Sequence, residues 1–357
     1  MDDVTCISPE IDADMVSSRI YTNDILYNIT GASIGRSALY TLEEQANVNQ
    51  HVCIIRLKQD SPKFISYFLL SRLGAKELFA FQAGGNREGL NYQQLGSFKL
   101  SLPALPEQKR IVAVLDAWDS YLEKLARKIE IKKQIKKGLM QKLLSGKKRL
   151  RGFAEPWAPV KLADVCKVTM GQSPPSSSYN VSQSGRPLIQ GNADLKNRKT
   201  IQRIWTSEPS KFAEKNQIIM TVRAPVGSIG IAQEDVCIGR GVCAIAAKDA
   251  DHNYILHYLI GLEKKWMSFE QGSTFTAVNG SDIRGLKLYL PKTKQEQTAI
   301  ADILTKAGDE IEVLEKKKQI IEEQKKFLLN NLITGQIRTP QDLLERLPHF
   351  ARNNGNR

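Results

Sequence analysis

The chain has 357 residues, enough for two domains and connectors, and carries 51 Lys and Arg against 38 Asp and Glu, a net charge of +13. A pI near 9.4 favours a polyanionic partner. No stretch approaches the run of about 18 apolar residues that a membrane span needs, and no basic-then-apolar leader opens the chain. Cys6, Cys53, Cys166, Cys237 and Cys243 are odd in number and include no C-x-x-C pair, which fits a reduced cytoplasmic protein with buried thiols better than a disulfide scaffold or a zinc site.

Residues 1–101 read as a mixed α/β unit. Asp24 to Ile29 is a short apolar strand that runs into a glycine-punctuated turn, Thr30 to Gly35, closed by Arg36. His51 to Leu57 is a second strand, and Phe64 to Phe81 has helical spacing with Tyr67, Phe68, Leu70 and Leu73 on or near one face. A polar, glycine-rich loop, Ala83 to Tyr92, follows, and Phe98 to Pro103 leads into a long helix.

That helix, Pro106 to Gly146, is built on Ile111, Leu115, Trp118, Leu122, Leu125 and Ile129, stepping by fours and threes as a coiled-coil seam does. Pro106 suits a first turn and Gly146 a C-terminal stop. About 40 residues at 1.5 Å per residue give roughly 60 Å.

The same order then returns. Gln217 to Val222 is a strand, Arg223 to Gly230 its turn, Gly241 to Ile245 the second strand, Tyr254 to Phe269 the helix, Gly272 to Gly280 the loop, and Leu286 to Pro291 the exit. Gly84 and Gly272, Asn91 and Asn279, Lys99 and Lys287, and Pro103 and Pro291 are identical at a constant offset of 188. A second long helix ending at Gly335 carries Ile300, Leu304, Ala307, Ile311 and Leu314 at the matching seam positions. The fold class is therefore α+β, a tandem repeat of an α/β domain followed by a long helix, with the two helices pairing as an antiparallel coiled coil, because repeat copies that cannot bury an apolar stripe alone bury it against a neighbour. The expected divisions are 1–104, 105–147, 148–293, 294–336 and a tail at 337–357, with a short helix near Gln341 to Leu347. The two copies differ in two ways. The first is short before its first strand, through natural divergence or a truncated start, and should be the less stable for a missing strand. From Pro106 to Arg151 there are 14 Lys and Arg against 5 Asp and Glu, or +9, whereas Gln295 to Arg338 has 7 against 8, or −1.

The sequence offers no catalytic constellation. Gly31 to Arg36 lacks the Lys-Ser/Thr of a phosphate-binding loop, and His252 and His257 are not at the spacing of a helical metal pair. What remains is polar and carried on loops. Asn86, Arg87, Asn91 and Tyr92 in one copy, and Thr274, Thr276 and Asn279 in the other, occupy equivalent loops; Arg reads guanine and Asn reads adenine through paired hydrogen bonds. Lys196, Arg198, Lys199 and Arg203 form a basic run suited to phosphates, and Arg36 and Arg223 flank the glycine turns. As a duplicated set in a basic chain these residues favour DNA. The alternative is a coiled-coil assembly protein that binds no specific DNA.

Gly171 to Tyr179 (Gly-Gln-Ser-Pro-Pro-Ser-Ser-Ser-Tyr), Pro187 to Ala193 (Pro-Leu-Ile-Gln-Gly-Asn-Ala), Arg223 to Gly230 (Arg-Ala-Pro-Val-Gly-Ser-Ile-Gly) and Ile238 to Cys243 (Ile-Gly-Arg-Gly-Val-Cys) resemble the target-recognition domains of type I restriction–modification specificity subunits. Leu102 to Gly146 and Leu290 to Gly335 resemble that family's central helical regions. The resemblance implies two target-recognition domains on an antiparallel helical spacer, each reading half of a bipartite, asymmetric double-stranded DNA site whose gap the helices set. It also implies docking of two methyltransferase subunits and of motor-nuclease subunits, to which S-adenosylmethionine, ATP and Mg belong; this chain binds no cofactor or metal and is not by itself an enzyme. The short first domain departs from the family pattern.

Overall fold

The computed structural model describes residues 5–82, 89–272 and 278–345. The chain divides into two compact units, one formed by Met1–Arg127 with Glu315–Arg357 and the other by Lys128–Leu314. Each long helix thus gives one end to each unit.

In the first unit α1 (Pro9–Asp14), capped by Ser8, precedes β1 (Arg19–Ile20), β2 (Ile25–Asn28), β3 (Ser37–Leu39), β4 (Ala46–Asn47) and β5 (Val52–Ile55). β2 lies between β3 and β5 in an antiparallel three-stranded sheet, and β1 pairs with β4. The helix expected over Phe64 to Phe81 is two, α2 (Pro62–Leu70) and α3 (Arg72–Gln82). The break is at Ser71, whose extended backbone leaves the helix while its hydroxyl donates to the Phe68 carbonyl at 2.6 Å and accepts from Gly74 N at 3.3 Å. One serine closes a helix and caps the next. After α4 (Tyr92–Gly96) comes the first long helix, α5 (Leu105–Leu143). Ile25, Tyr27, Phe64 and Phe68 form the core with Ile111 and Leu115 of α5 and with Leu329, Leu332 and Ile333 near the end of the last helix. That contact, with ion pairing of Lys325 to Asp119, makes the two helices antiparallel within this unit.

The second unit is larger. It contains β6 (Ala158–Lys161), α6 (Leu162–Val165), β7 (Cys166–Met170), β8 (Tyr179–Asn180), β9 (Arg186–Ile189), the hairpin β10 (Leu195–Lys196) and β11 (Lys199–Thr200), β12 (Trp205–Thr206), β13 (Phe212–Ala213), β14 (Ile218–Thr221), β15 (Ile229–Ile231), β16 (Val236–Ile238) and β17 (Val242–Ala247). α7 (His252–Gly272), α8 (Gly280–Arg284), β18 (Lys287–Leu290) and the last helix α9 (Lys294–Ile333) complete it. Strands run β10-β11-β15-β14-β17-β7 in one sheet and β13-β16-β9-β12-β8 in another, with β18 on β6. Leu143 at the end of α5 and Leu144 just after it share a buried cluster with Ile300, Ala301 and Leu304 of α9, and Lys132 pairs with Glu310 at 2.7 Å, so the helices are antiparallel here too. Of the seam, Ile111, Leu115, Leu125, Ile129, Ile300, Leu304 and Ile311 are buried, and Trp118, Leu122, Ala307 and Leu314 are half-buried. Cys53, Cys166, Cys237 and Cys243 are buried, and burial pushes the Cys166 and Cys243 thiols up to about 12. Among the described residues no helix is long and apolar enough to cross a membrane.

The duplication holds at the level of single hydrogen bonds. β3-β2-β5 repeats as β15-β14-β17, with Val52-Cys53 in the place of Val242-Cys243. Ile29 N donates to His51 O as Val222 N donates to Gly241 O, both at 2.9 Å. Gln108 Nε2 donates to Pro103 O and Gln297 Nε2 to Pro291 O, again both at 2.9 Å, while each amide oxygen accepts the backbone N–H of Ser61 or Asp251 at the head of α2 or α7. Arg338 chelates Glu107 (2.6 Å twice) as Arg149 chelates Glu296 (2.8 and 2.9 Å). Counterparts of β6 to β12 are absent from the first unit among the described residues, which is where the sequence is short.

His257 on α7 is almost fully buried: its Nε2 meets Thr305 Oγ1 at 2.9 Å and its Nδ1 has no partner. Burial first, and then the Lys136 charge, hold its pKa down to about 4, with Asp251 pulling the other way. An unfolded His titrates near 6.5, so between about 6.5 and 4 the unfolded chain binds the extra proton. Stability from this site is complete above 6.5 and should fall by something on the order of 3 kcal/mol as pH drops to about 4. His257→Gln should flatten that slope in urea unfolding measured at several pH values; an unchanged slope refutes the assignment.

Candidate nucleic-acid interface

In the second unit the four segments Gly171–Tyr179, Pro187–Ala193, Arg223–Gly230 and Ile238–Cys243 fold onto one another. Gly171 N donates to Val242 O at 3.0 Å and Gln172 N to Ile238 O at 2.9 Å; Arg240 N donates to Ser173 Oγ at 3.2 Å. Gly239 N donates to Ile189 O at 2.8 Å. The contact is close enough to require glycine: a Cβ at Gly171 would overlap the Gly239 carbonyl, and one at Gly241 the Gln190 carbonyl. Val222, just before Arg223, is bonded to Gly241 on one side and to Val278 on the other.

Two adjoining concavities lie between the 190–204 segment and the 222–229 loop. One, of about 340 Å³, is lined by Asn192, Asn197, Arg198, Gly227 and Ser228 among others. The second, of about 540 Å³, is lined by Gln190, Asn192, Asp194, Arg203 and Pro225 among others. Asn192 borders both.

The basic run falls on the β10–β11 hairpin. Asn197 and Arg198 are its two turn residues, both with positive φ (50° and 62°), the geometry a two-residue hairpin turn demands. Arg198 is held there: Nη2 donates to Glu263 Oε2 of α7 at 2.7 Å, Nη1 also pairs with Glu263, and Nη1 donates to Ile229 O at 3.2 Å. Lys199 faces Glu312 at 3.7 Å and Arg203 faces the buried Asp194 at 3.5 Å. Lys196 and Arg223 are exposed, with no ion pair among the described residues.

Asn279 caps α8, its amide oxygen accepting from Ser281 N (2.9 Å) and Asp282 N (3.0 Å), and Asn91 caps α4, accepting from Gln94 N at 2.8 Å. Helix capping by itself accounts for an asparagine at both places. Tyr92, the first residue of α4, is exposed, as is Arg36 after the glycine turn of the first unit. Asn86, Arg87, Thr274 and Thr276 lie outside the described residues, as do the end of the tail and parts of both glycine-rich loops. In the first unit Thr30 stands where the second has Arg223, and its hydroxyl meets His51 Nδ1 at 2.6 Å. The equivalent faces therefore differ in chemistry.

Sequence reasoning passed over Gln172, Gln190, Asn192 and Arg240, whose side chains make no hydrogen bond within the described structure and which project from the converging segments. The motifs contained them, but the weight went to the two equivalent glycine-rich loops for bases and to the cluster of positive charge for phosphates. Glu263 and Glu312, which engage Arg198 and Lys199, come from helices remote in sequence and left no local signal.

A duplicated α/β unit on paired long helices, with four loops gathered into a face of amides and unpaired guanidinium groups, defines a scaffold that reads nucleic acid. The sequence pattern described as the type I restriction modification DNA specificity domain matches residues 16–133 and 154–323. The chain is 33% identical over 345 residues to the putative type I restriction enzyme MjaX specificity subunit of Methanocaldococcus jannaschii, covering 91% of this chain and 81% of that one. It superposes with a TM-score of 0.63 and 28% identity, over 88% of this chain and 82% of the other, on a structure described as the basis of complex assembly and conformational transition of the type I R-M system. A type I S subunit from M. genitalium shares the fold, with a TM-score of 0.59 and 18% identity over 87% of this chain and 83% of that one. The chain therefore belongs to the type I restriction–modification DNA specificity family. Its part is recognition of DNA and not catalysis, and an assembly protein with no DNA role is not favoured.

Proposed function

We propose that this chain addresses a split, asymmetric double-stranded DNA site, one part through each unit, and brings methyltransferase subunits to it. Adenine methylation with S-adenosylmethionine and ATP- and Mg-dependent cleavage by motor-nuclease subunits belong to those partners, in the cytoplasm; this chain holds none of these cofactors. The observation that carries the reading is the convergence of four loop segments on one face in the second unit, where Arg223, Arg240 and three amides are left without partners inside the fold. Arg36, Asn91 and Tyr92, with the loop residues Asn86 and Arg87, are the contacts proposed for the first unit. Lys196, Arg198, Lys199, Arg223, Thr274, Thr276 and Asn279 serve the second, Arg198 and Lys199 by exchanging a carboxylate for a phosphate.

Partner docking is supported by apolar side chains left outside the helix seam: Ile131 and Ile135 on α5, at 48% and 50% exposure, and Ile320 and Phe327 on α9, at 54% and 64%.

The test is DNA binding by the chain assembled with its methyltransferase. A gapped sequence should be protected, with affinity falling steeply as salt rises. Each phosphate neutralised adds about 0.9 to the slope of log affinity against log salt, so Lys196→Ala with Arg223→Ala should reduce that slope by about two. Salt-insensitive binding, or protection of a contiguous site, would count against the reading.

A further inference from the structure

We propose that Asn192 is a base-reading residue of the second unit and that it recognises adenine; the inference rests on the DNA-reading function above. A residue that reads a base edge needs three properties: a place on a concave surface, a free donor and acceptor, and a backbone that does not move. Asn192 has all three.

It borders both concavities between the 190–204 segment and the 222–229 loop, so a base edge entering either one meets it. Its side chain is exposed and makes no hydrogen bond within the described structure. The backbone around it is fixed from below by Asp194, only 7% exposed, whose carboxylate accepts from Gln190 N at 2.7 Å and Gly191 N at 3.2 Å. Asp194 N in turn donates to Gly191 O at 3.1 Å, closing a tight turn over residues 191–194. The strand leading into that turn is clamped between Gly239 and Gly241, against which Gln190 is packed. The site is thus preorganised on rigid elements, as specific recognition requires.

The chemistry selects the base. A free carboxamide presents an acceptor and a donor side by side, which matches N6 and N7 of adenine in the major groove. The cations of the same region act differently: Arg198 and Lys199 are turned toward carboxylates, which suits exchange with phosphates that position the duplex without reading it. Asn192 is therefore a specificity residue, and the hairpin a positioning one.

The experiment is selection from randomised DNA by the chain assembled with its methyltransferase, comparing wild type, Asn192→Ala and Asn192→Asp. Asn192→Ala should lose roughly 10- to 100-fold of discrimination for adenine at one position of one half-site, the other positions and the salt slope staying as they are. Asn192→Asp, unable to donate, should shift the preference at that position toward cytosine, whose N4 donates. Asp194→Asn, which loosens the turn but leaves the Asn192 amide in place, should blur the same position. If Asn192→Ala keeps full preference everywhere, or weakens all sequences equally, the proposal is overturned while the DNA-reading function stands. If the wild-type assembly shows no sequence preference, the function fails and this inference with it.

Discussion

Glu296→Ala is expected to destabilise the second unit by about 3 kcal/mol, while Glu107→Ala, the same change at the equivalent place in the first unit, should cost about 1 kcal/mol or less. Both carboxylates sit in the first turn of a long helix and chelate an arginine that follows the other long helix. Burial sets them apart. Glu296 has no exposed surface, its Arg149 partner keeps 29%, and Trp157 Nε1 also donates to it at 3.3 Å. Removing Glu296 leaves a partly buried guanidinium with only the Glu155 carbonyl and the Trp157 ring against it, and a buried indole N–H with no acceptor. A buried charge that loses its counter-charge is what makes such losses large. The partly exposed arginine puts the figure at the low end of that range. Arg338, by contrast, is 70% exposed and simply returns to water when Glu107 goes. Hydrogen exchange resolved to β14 and β2 after each substitution checks this, and equal losses in both units would sink it.

The repeat was legible because packing and backbone geometry leave periodic, local marks. The seam from Ile111 to Ile129, the Leu-Pro exits and the glycine turns all follow from requirements on neighbours a few residues away. Ser71 shows the limit. The helical spacing on both sides is genuine, and the run is broken by the competing hydroxyl hydrogen bonds together with the close approach of Gly74 to the Phe68 and Leu69 carbonyls. At the site the limit is more serious. Charge is visible in a sequence, but whether a charge is free depends on partners such as Glu263, 65 residues from Arg198. The basic run, read as a phosphate contact, looked free, whereas three of its four cations face carboxylates and the uncharged Asn192 and Gln190 sit on the concave surface. Asn91 and Asn279 carry a related lesson: recurrence at equivalent places is satisfied by a helix cap before any ligand is considered.

Gly241→Ala should impair both folding and recognition, because one packing requirement underlies both. A Cβ there overlaps the Gln190 carbonyl, a backbone atom that cannot rotate away, so either the end of β9 or the 239–241 turn must shift. Overpacking of this kind typically costs 1–3 kcal/mol, and the rigid obstacle places it toward the top of that range. The shift falls where specificity is argued to reside: Gln190 and Asn192 follow β9, Arg240 is in the turn, and Gly241 O holds Val222 next to Arg223. The first unit supports the reasoning from the other side. His51 occupies the place of Gly241 there, and no counterpart of β9 among the described residues presses on it. Gly138→Ala is the control, since its Cβ would meet open space on α5 and alanine in a helix interior should add roughly 0.5–1 kcal/mol. Thermal unfolding should therefore move in opposite directions for the two substitutions, and only Gly241→Ala should flatten base preference while salt-dependent binding to random DNA survives. Wild-type stability with intact preference in Gly241→Ala would show that the close approach of these two segments is not what holds the reading face together.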